Sequence, residues 1–196
     1  MEPVIIKKSL IEANRYLKSD PSHGLTHIQN LFKIVDYLIK QEGLLGKVDK
    51  EILYLAVIFH DFGRIGNLTN KNIDDHDKKS AALATRFLRK LKYKKIDEVV
   101  SIILHNDRKS NVCTLEDIIF YDADILDVLG AVGIGRTFTY GGQIKRDLDG
   151  SIKRLLWKSF RNQPTTKTAK KIAQNRRKFI RDFIKHYNQE INLKDG

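Results

Sequence analysis

Apolar residues return at helical spacing along almost the whole chain, which leaves little room for a sheet. Between Val4 and Lys18 the stripe is Ile6, Leu10, Ala13 and Leu17. Between Gly24 and Glu42 it is Leu25, Ile28, Leu31, Phe32, Val35, Leu38 and Ile39, with Gly43 as the stop. Asp49 is placed to cap a third helix running to Phe62. Its run ILYLAVIF has the look of a buried strand, but the cap and the length favour a helix buried on most sides. Asp75 to Leu91 is amphipathic, and Ile96 to Asn106 is a short helix. Thr114 with Asp117 resembles a capping box opening the next one. The glycine-rich stretch Gly130 to Gly142 reads as a turn or loop, with a weak strand signal in RTFTY at 136–140. Ser151 to Asn162 and Thr166 to Gln189 are the last two helices, with Pro164 between them. On the last one Ile172, Phe179, Ile180 and Phe183 form one apolar stripe, which leaves Lys171, Arg177, Lys178 and Lys185 largely off it. The predicted fold class is all-α.

At 196 residues the chain is long enough for one good core and marginal for two domains, so a single domain is expected. The single Cys113 excludes a disulfide framework and a cysteine-based zinc site. The N-terminus has no long apolar stretch, and the longest apolar run, Ile52 to Phe59, is far short of a membrane span. A soluble cytoplasmic protein with no membrane partner is expected. The formal charge is +12, and it is uneven: Lys145 to Lys185 holds 14 Lys and Arg against Asp147, Asp149 and Asp182. That excess suits an anionic partner, either a polyphosphate nucleotide or nucleic acid, or else a solvated helix face.

Two apolar runs open into chemistry-bearing residues. AVIFHDFGRIG ends a hydrophobic stretch in His60 and Asp61, and IIFYDADILD opens into Asp122, Asp124 and Asp127. Charges deep in apolar sequence are costly unless paired, hydrogen-bonded or metal-bound. His27 lies one turn into its helix, with His23 four residues earlier on the same face. Imidazole and carboxylate together suit Mn, Mg, Co, Ni, Fe or Zn. Asp122 and Asp124 compete as the further ligand. Asp122 either holds a ligand histidine or caps a backbone end, and Asp127, one turn beyond Asp124, is placed to orient a ligand. His105 ends an apolar helix expected to deliver it to the same end as His60 and Asp61. Arg64 and Arg136 are candidates to hold phosphate, with Lys145, Arg146 and Lys153 near the glycine-rich stretch.

The order H…HD…D resembles the HD-domain superfamily of metal-dependent phosphohydrolases. SHGLTHIQNLFKIV is similar to its first-ligand helix, and DADILDVLGAVGIGR to the last-ligand segment of a branch of small hydrolases that includes nucleoside-triphosphate pyrophosphohydrolases. The resemblance implies an HD-domain helical bundle with its metal-site core at about 20–142 and basic C-terminal helices at about 145–190. It implies a divalent metal on His27, His60, Asp61 and Asp124. His76 and His105 stand where relatives have a second metal ligand or a substrate-binding or proton-transferring histidine. Asp61, His105 and Arg64 would then take part in catalysis, with His23, Asp122 and Asp127 in support. The branch usually has Asp three residues before the first ligand; here that position is Gly24. The residues after the HD pair are FGRIG, without the acidic pair of guanosine-tetraphosphate hydrolases, and no GYP triad follows.

The implied activity is hydrolysis of a phosphate ester or anhydride on a small phosphorylated substrate, a nucleotide by resemblance. Two alternatives stand beside it. A di-iron HD-fold oxygenase would need all of His27, His60, Asp61, His76, His105 and Asp124. A nucleic-acid-binding protein would use the basic C-terminal helices. The sequence leaves the oligomeric state open.

Overall fold

The third helix, Lys50–Phe59, sits at the centre of the molecule because it has no polar side: Ile52, Leu53, Leu55, Ala56, Val57, Ile58 and Phe59 are all buried. The computed structural model describes residues 3–17, 22–64, 76–105 and 113–193. Its α-helices are α1 (Val4–Leu17), α2 (Leu25–Gln41), α3 (Lys50–Phe59), α4 (His76–Lys90), α5 (Ile96–His105), α6 (Leu115–Asp127), α7 (Gly130–Gln143), α8 (Leu148–Arg161) and α9 (Lys167–Ile191). A one-turn 3₁₀ segment, Phe62–Arg64, follows α3. There is no strand among the described residues, and the fold is all-α. No described helix is long and apolar enough to cross a membrane. The expected boundaries at Lys18, Asp20, Asp75 and Asn106 fall outside the described residues.

Packing follows from the stripes. α3 is surrounded by α1, α2, α4, α5 and α6, and α7, α8 and α9 pack together beside α6. Local chemistry sets the helix ends. The Asp49 carboxylate accepts from the backbone N–H groups of Glu51 and Ile52, at 3.0 and 3.2 Å. Thr114 and Asp117 form the reciprocal capping box read from the sequence. Gly43 takes φ +66° just past α2, a conformation other residues rarely adopt.

Three expectations need correction. First, α3 does not run to Phe62. It stops at Phe59, and His60 and Asp61 stand in the turn before the 3₁₀ segment. Gly63 makes that tight exit possible, since a Cβ there would lie 2.1 Å from the backbone oxygen of His76. Second, Gly130 to Gly142 is not a loop, and RTFTY is not a strand: both lie in α7. The buried residues of α7 are Gly130, Gly133, Thr137 and Gly141, one small-residue face. A Cβ on Gly141 would meet Ser151 Oγ of α8 at 2.4 Å. The glycines therefore let helices approach closely, and that packing outweighs a helix-propensity cost of about 1 kcal/mol per glycine. Third, on α9 the expected apolar stripe included Phe179 and left Arg177 off. Instead Phe179 is exposed and Arg177 is buried. Its guanidinium donates to the carbonyls of Ser159 and Asn162 and to Gln163 Oε1, which satisfies the C-terminal end of α8.

Candidate metal centre and basic cleft

Three side chains from distant parts of the sequence present lone pairs to one point. His27 arrives on the first turn of α2, and His60 and Asp61 on the turn that ends α3. All three are buried. His27 Nε2 lies 3.3 Å from His60 Nε2 and 3.5 Å from Asp61 Oδ2, and His60 Nε2 lies 3.1 Å from the same oxygen. A point about 2 Å from all three atoms exists inside that triangle, which is the usual metal–N and metal–O length. This is the one group of three or more candidate ligands among the described residues.

The hydrogen bonds on the other ring nitrogens fix the tautomers. His27 Nδ1 donates to Asp127 Oδ2 at 2.8 Å, and His60 Nδ1 donates to the carbonyl of Val57 at 2.8 Å. Both acceptors lack a proton to give, so in each neutral ring Nε2 carries the lone pair. Two imidazole lone pairs and a carboxylate then face one another at about 3 Å. That arrangement is repulsive alone and is relieved by a divalent cation, so the donor set fits such an ion.

The carboxylates favour positive charge at this point, whether a cation or a proton on His60. Burial works against a charged His60, but Asp61 and Asp124 outweigh it and raise its pKa. Burial alone would raise Asp61, but Arg64, His60 and His23 hold it well below the usual carboxylate range. Asp127 is fully buried, yet hydrogen bonding from His27 and the charge of Arg136 hold it at about 2. Asp127 also accepts from Asn30 Nδ2 and Arg136 Nη1, so it is held on three sides. Arg136 Nε in turn donates to the carbonyl of Ser22 at 2.8 Å.

Asp124 comes from α6 and lines a small pocket of about 130 Å³ together with Asp61, His23, Arg64 and His76. Arg64 bridges two of these: Nε donates to Asp61 Oδ1, and Nη2 donates to His76 Nε2 at 2.8 Å. His76 is buried at the start of α4 and is not an exposed loop residue, and its Nδ1 lies 3.2 Å from Asp77. Ser80 stitches the HD turn to α4, accepting from Gly63 N at 2.8 Å and donating to the His60 carbonyl at 2.5 Å. His23 is hydrogen-bonded to Ser22 at 2.9 Å and meets Tyr140 edge-on, with ring centroids 5.5 Å apart.

Two expected site residues are elsewhere. His105 is not delivered to the HD pair: its Nδ1 lies 3.3 Å from Asp117 Oδ1, in the first turn of α6. Asp124 is seven residues further along that helix, about 10 Å of rise, so His105 serves the capping box. Of the two roles read for Asp122, the structure shows the second, capping a backbone end. Asp122 is fully buried, and its oxygens accept from Thr165 N, Thr166 N and Thr166 Oγ1 at 2.6–2.7 Å, where they anchor the start of α9. With His105 absent and His76 held by Arg64, the six-ligand set of the di-iron alternative is not assembled.

Beside the metal centre opens a cavity of about 550 Å³. Arg64, Arg136, Arg146, Lys153, Arg154 and Lys158 line it. Arg136, Arg146 and Lys153 were expected there. Lys145 was too, but it is exposed in the α7–α8 turn at φ +56° and does not line the cavity. Arg154 and Lys158 were missed, although with Arg161 they repeat along one face of α8, a signal visible in the sequence. Burial and the charges of Arg64, Arg136 and Arg154 lower Lys158 to about 8.

The HD-domain family pattern matches residues 24–129, and the chain belongs to that family. An HD-superfamily hydrolase from Bacillus thuringiensis is 27% identical, with a TM-score of 0.65 over 96% of this chain and 97% of that one. The Lin1889 protein from Listeria innocua is 25% identical, with a TM-score of 0.65 over 96% and 98%. Bacillus subtilis YpgQ in complex with ADP shares the fold at 22% identity, with a TM-score of 0.70 over 97% and 100%. No curated protein matches the sequence. The chain is a metal-dependent phosphohydrolase of the HD superfamily.

Proposed function

We propose that this phosphohydrolase cleaves a phosphate ester or anhydride of a small nucleotide. One observation carries the reading: a buried cluster of two imidazoles and a carboxylate opens beside a cavity lined with cations. YpgQ, of the same fold, has been seen with ADP, which is consistent with a nucleotide ligand. A cytoplasmic location fits such a substrate.

His27, His60 and Asp61 would hold the ion, with Asp124 of the adjoining pocket as a further ligand, and Asp127 would keep His27 in the tautomer that binds it. A divalent cation there would supply charge to polarise a phosphoryl oxygen and to acidify a water. Mn, Mg, Co, Ni, Fe and Zn all fit a mixed imidazole and carboxylate set. Arg64 and Lys158 face the pocket that contains Asp61 and Asp124, where they neutralise charge on the phosphoryl oxygens. Arg136, Arg146 and Lys153 hold the rest of the phosphate chain.

The test is a screen of the purified protein with Mn, Mg, Co and Ni against nucleoside mono-, di- and triphosphates, reading phosphate and pyrophosphate separately. Metal-dependent hydrolysis, lost in His60→Ala and Asp61→Asn, is expected. Turnover that survives both substitutions, or none with any metal, refutes the reading.

A further inference from the structure

The basic cavity is charged far beyond what a nucleoside needs. Among the described residues no Asp or Glu lines it. Of its six cations, Arg64 and Arg136 already pair with Asp61 and Asp127. Arg146, Lys153, Arg154 and Lys158 make no ion pair with a described carboxylate. Arg146 Nη1 is buried and has no hydrogen-bond partner. A buried donor left without an acceptor is costly, so this one marks where an acceptor belongs. Burial, together with the charges of Arg146, Arg64 and Arg161, also lowers the pKa of Arg154. Cations crowded this closely are stabilised together by a ligand carrying more negative charge than the roughly two of a single phosphate group.

The aromatic rings point the same way. Tyr140 lines the cavity, but the Arg146 guanidinium lies over its ring at 5.7 Å and His23 stands against it edge-on. Trp157 lines the adjoining small pocket, and Arg154 and Arg161 lie over its ring at 4.3 and 4.6 Å. The aromatic surface that would stack a base is thus already occupied by guanidinium groups. Recognition is concentrated on the phosphates.

From this juxtaposition we infer that the cavity is a phosphate-chain site, and that the protein binds and hydrolyses inorganic oligophosphates of three or more phosphates, with no nucleoside required. The hydrolytic half rests on the metal-dependent reading above; the binding half does not. In the reaction with tripolyphosphate, a water oxygen bonds to a terminal phosphorus and the bridging P–O bond breaks. Its electron pair stays on the bridging oxygen, which leaves in pyrophosphate. The water protons pass to the two products and solvent, giving phosphate and pyrophosphate.

The experiment is calorimetric titration of the full chain with tripolyphosphate, ATP and AMP in buffer containing EDTA at physiological ionic strength. Tripolyphosphate should bind within about threefold of ATP and at least about tenfold more tightly than AMP, since each charge-assisted contact is strong. Arg146→Gln with Lys153→Gln should weaken tripolyphosphate and ATP alike by about tenfold or more, while the exposed pair Lys171→Gln with Lys178→Gln should leave both within about twofold. In Mn, phosphate release from tripolyphosphate should vanish in His60→Ala. ATP binding about tenfold tighter than tripolyphosphate, or equal losses from the two double variants, overturns the phosphate-chain site. Hydrolysis of nucleotides but not of tripolyphosphate overturns the oligophosphate activity. Absence of any hydrolysis, with binding in EDTA intact, sinks the metal-dependent reading and leaves the binding site standing.

Discussion

Replacing Asp127 with Asn should weaken metal binding without touching a ligand atom. The carboxylate is fully buried and accepts from His27 Nδ1, Asn30 Nδ2 and Arg136 Nη1. An amide keeps the shape but loses the charge, and its NH₂ group faces donors. His27 then loses the partner that keeps the proton on Nδ1 and leaves Nε2 as a lone pair. Loss of such a supporting carboxylate reduces metal affinity about 10–100-fold, or about 1.4–2.7 kcal/mol. Mn titration by calorimetry measures this directly. Denaturation in EDTA separates it from folding. Asp127→Ala should also cost the metal-free fold roughly 1–3 kcal/mol, because Asn30 and Arg136 lose their acceptor. A Kd for Mn in Asp127→Asn within about threefold of the parent, with the metal-free stability unchanged, would show that Asp127 does not set His27.

Two further outcomes concern stability. Asp49→Ala should cost about 1 kcal/mol at neutral pH, the usual worth of an N-cap. Although burial would raise it, the bond to Lys95 and the α3 N–H groups lower the Asp49 pKa below 3.8, so its stabilisation is full above the unfolded carboxylate range and is lost as pH falls through the folded value. Urea titrations of parent and variant should therefore converge in acid; a constant gap refutes this sign. Gly63→Ala puts a Cβ 2.1 Å from the His76 carbonyl oxygen and 2.9 Å from Lys79 Cβ. About 1–3 kcal/mol of destabilisation is expected, and a variant as stable as the parent would contradict the close approach of the HD turn to α4.

All the described α-helices but α7 were legible because each needs only local information. Asp49 and Thr114 are followed by the residues they cap, and the stripe of α2 is contiguous. The cluster of His27, His60 and Asp61 was readable for a related reason: His60 and Asp61 are neighbours in sequence, and His27 sits on a regular apolar helix. What could not be read is which helix faces which. Asp122 and Asp124 differ by two residues, yet one caps α9 and the other lines the pocket beside Asp61. His105 follows the same apolar pattern as a residue bound for the site, but Asp117 captures it. In α7, glycine carries opposite local and tertiary meanings. Propensity says loop, while close packing against Ser151 says helix. Spacing along α8 put Arg154 and Lys158 on one face, but nothing in the spacing said that this face looks at α7 and the HD turn.

The chain contains one tryptophan, and it stands beside the metal centre. Trp157 is half exposed, with Arg154 and Arg161 over its ring. Guanidinium groups over an indole perturb its excited state, and an anion that draws Arg154 toward itself changes that contact. Every photon the protein emits on tryptophan excitation therefore originates at the rim of its own cleft. An anion that moves Arg154 should therefore register in the intrinsic fluorescence of the unlabelled chain, with no second indole elsewhere to dilute the signal.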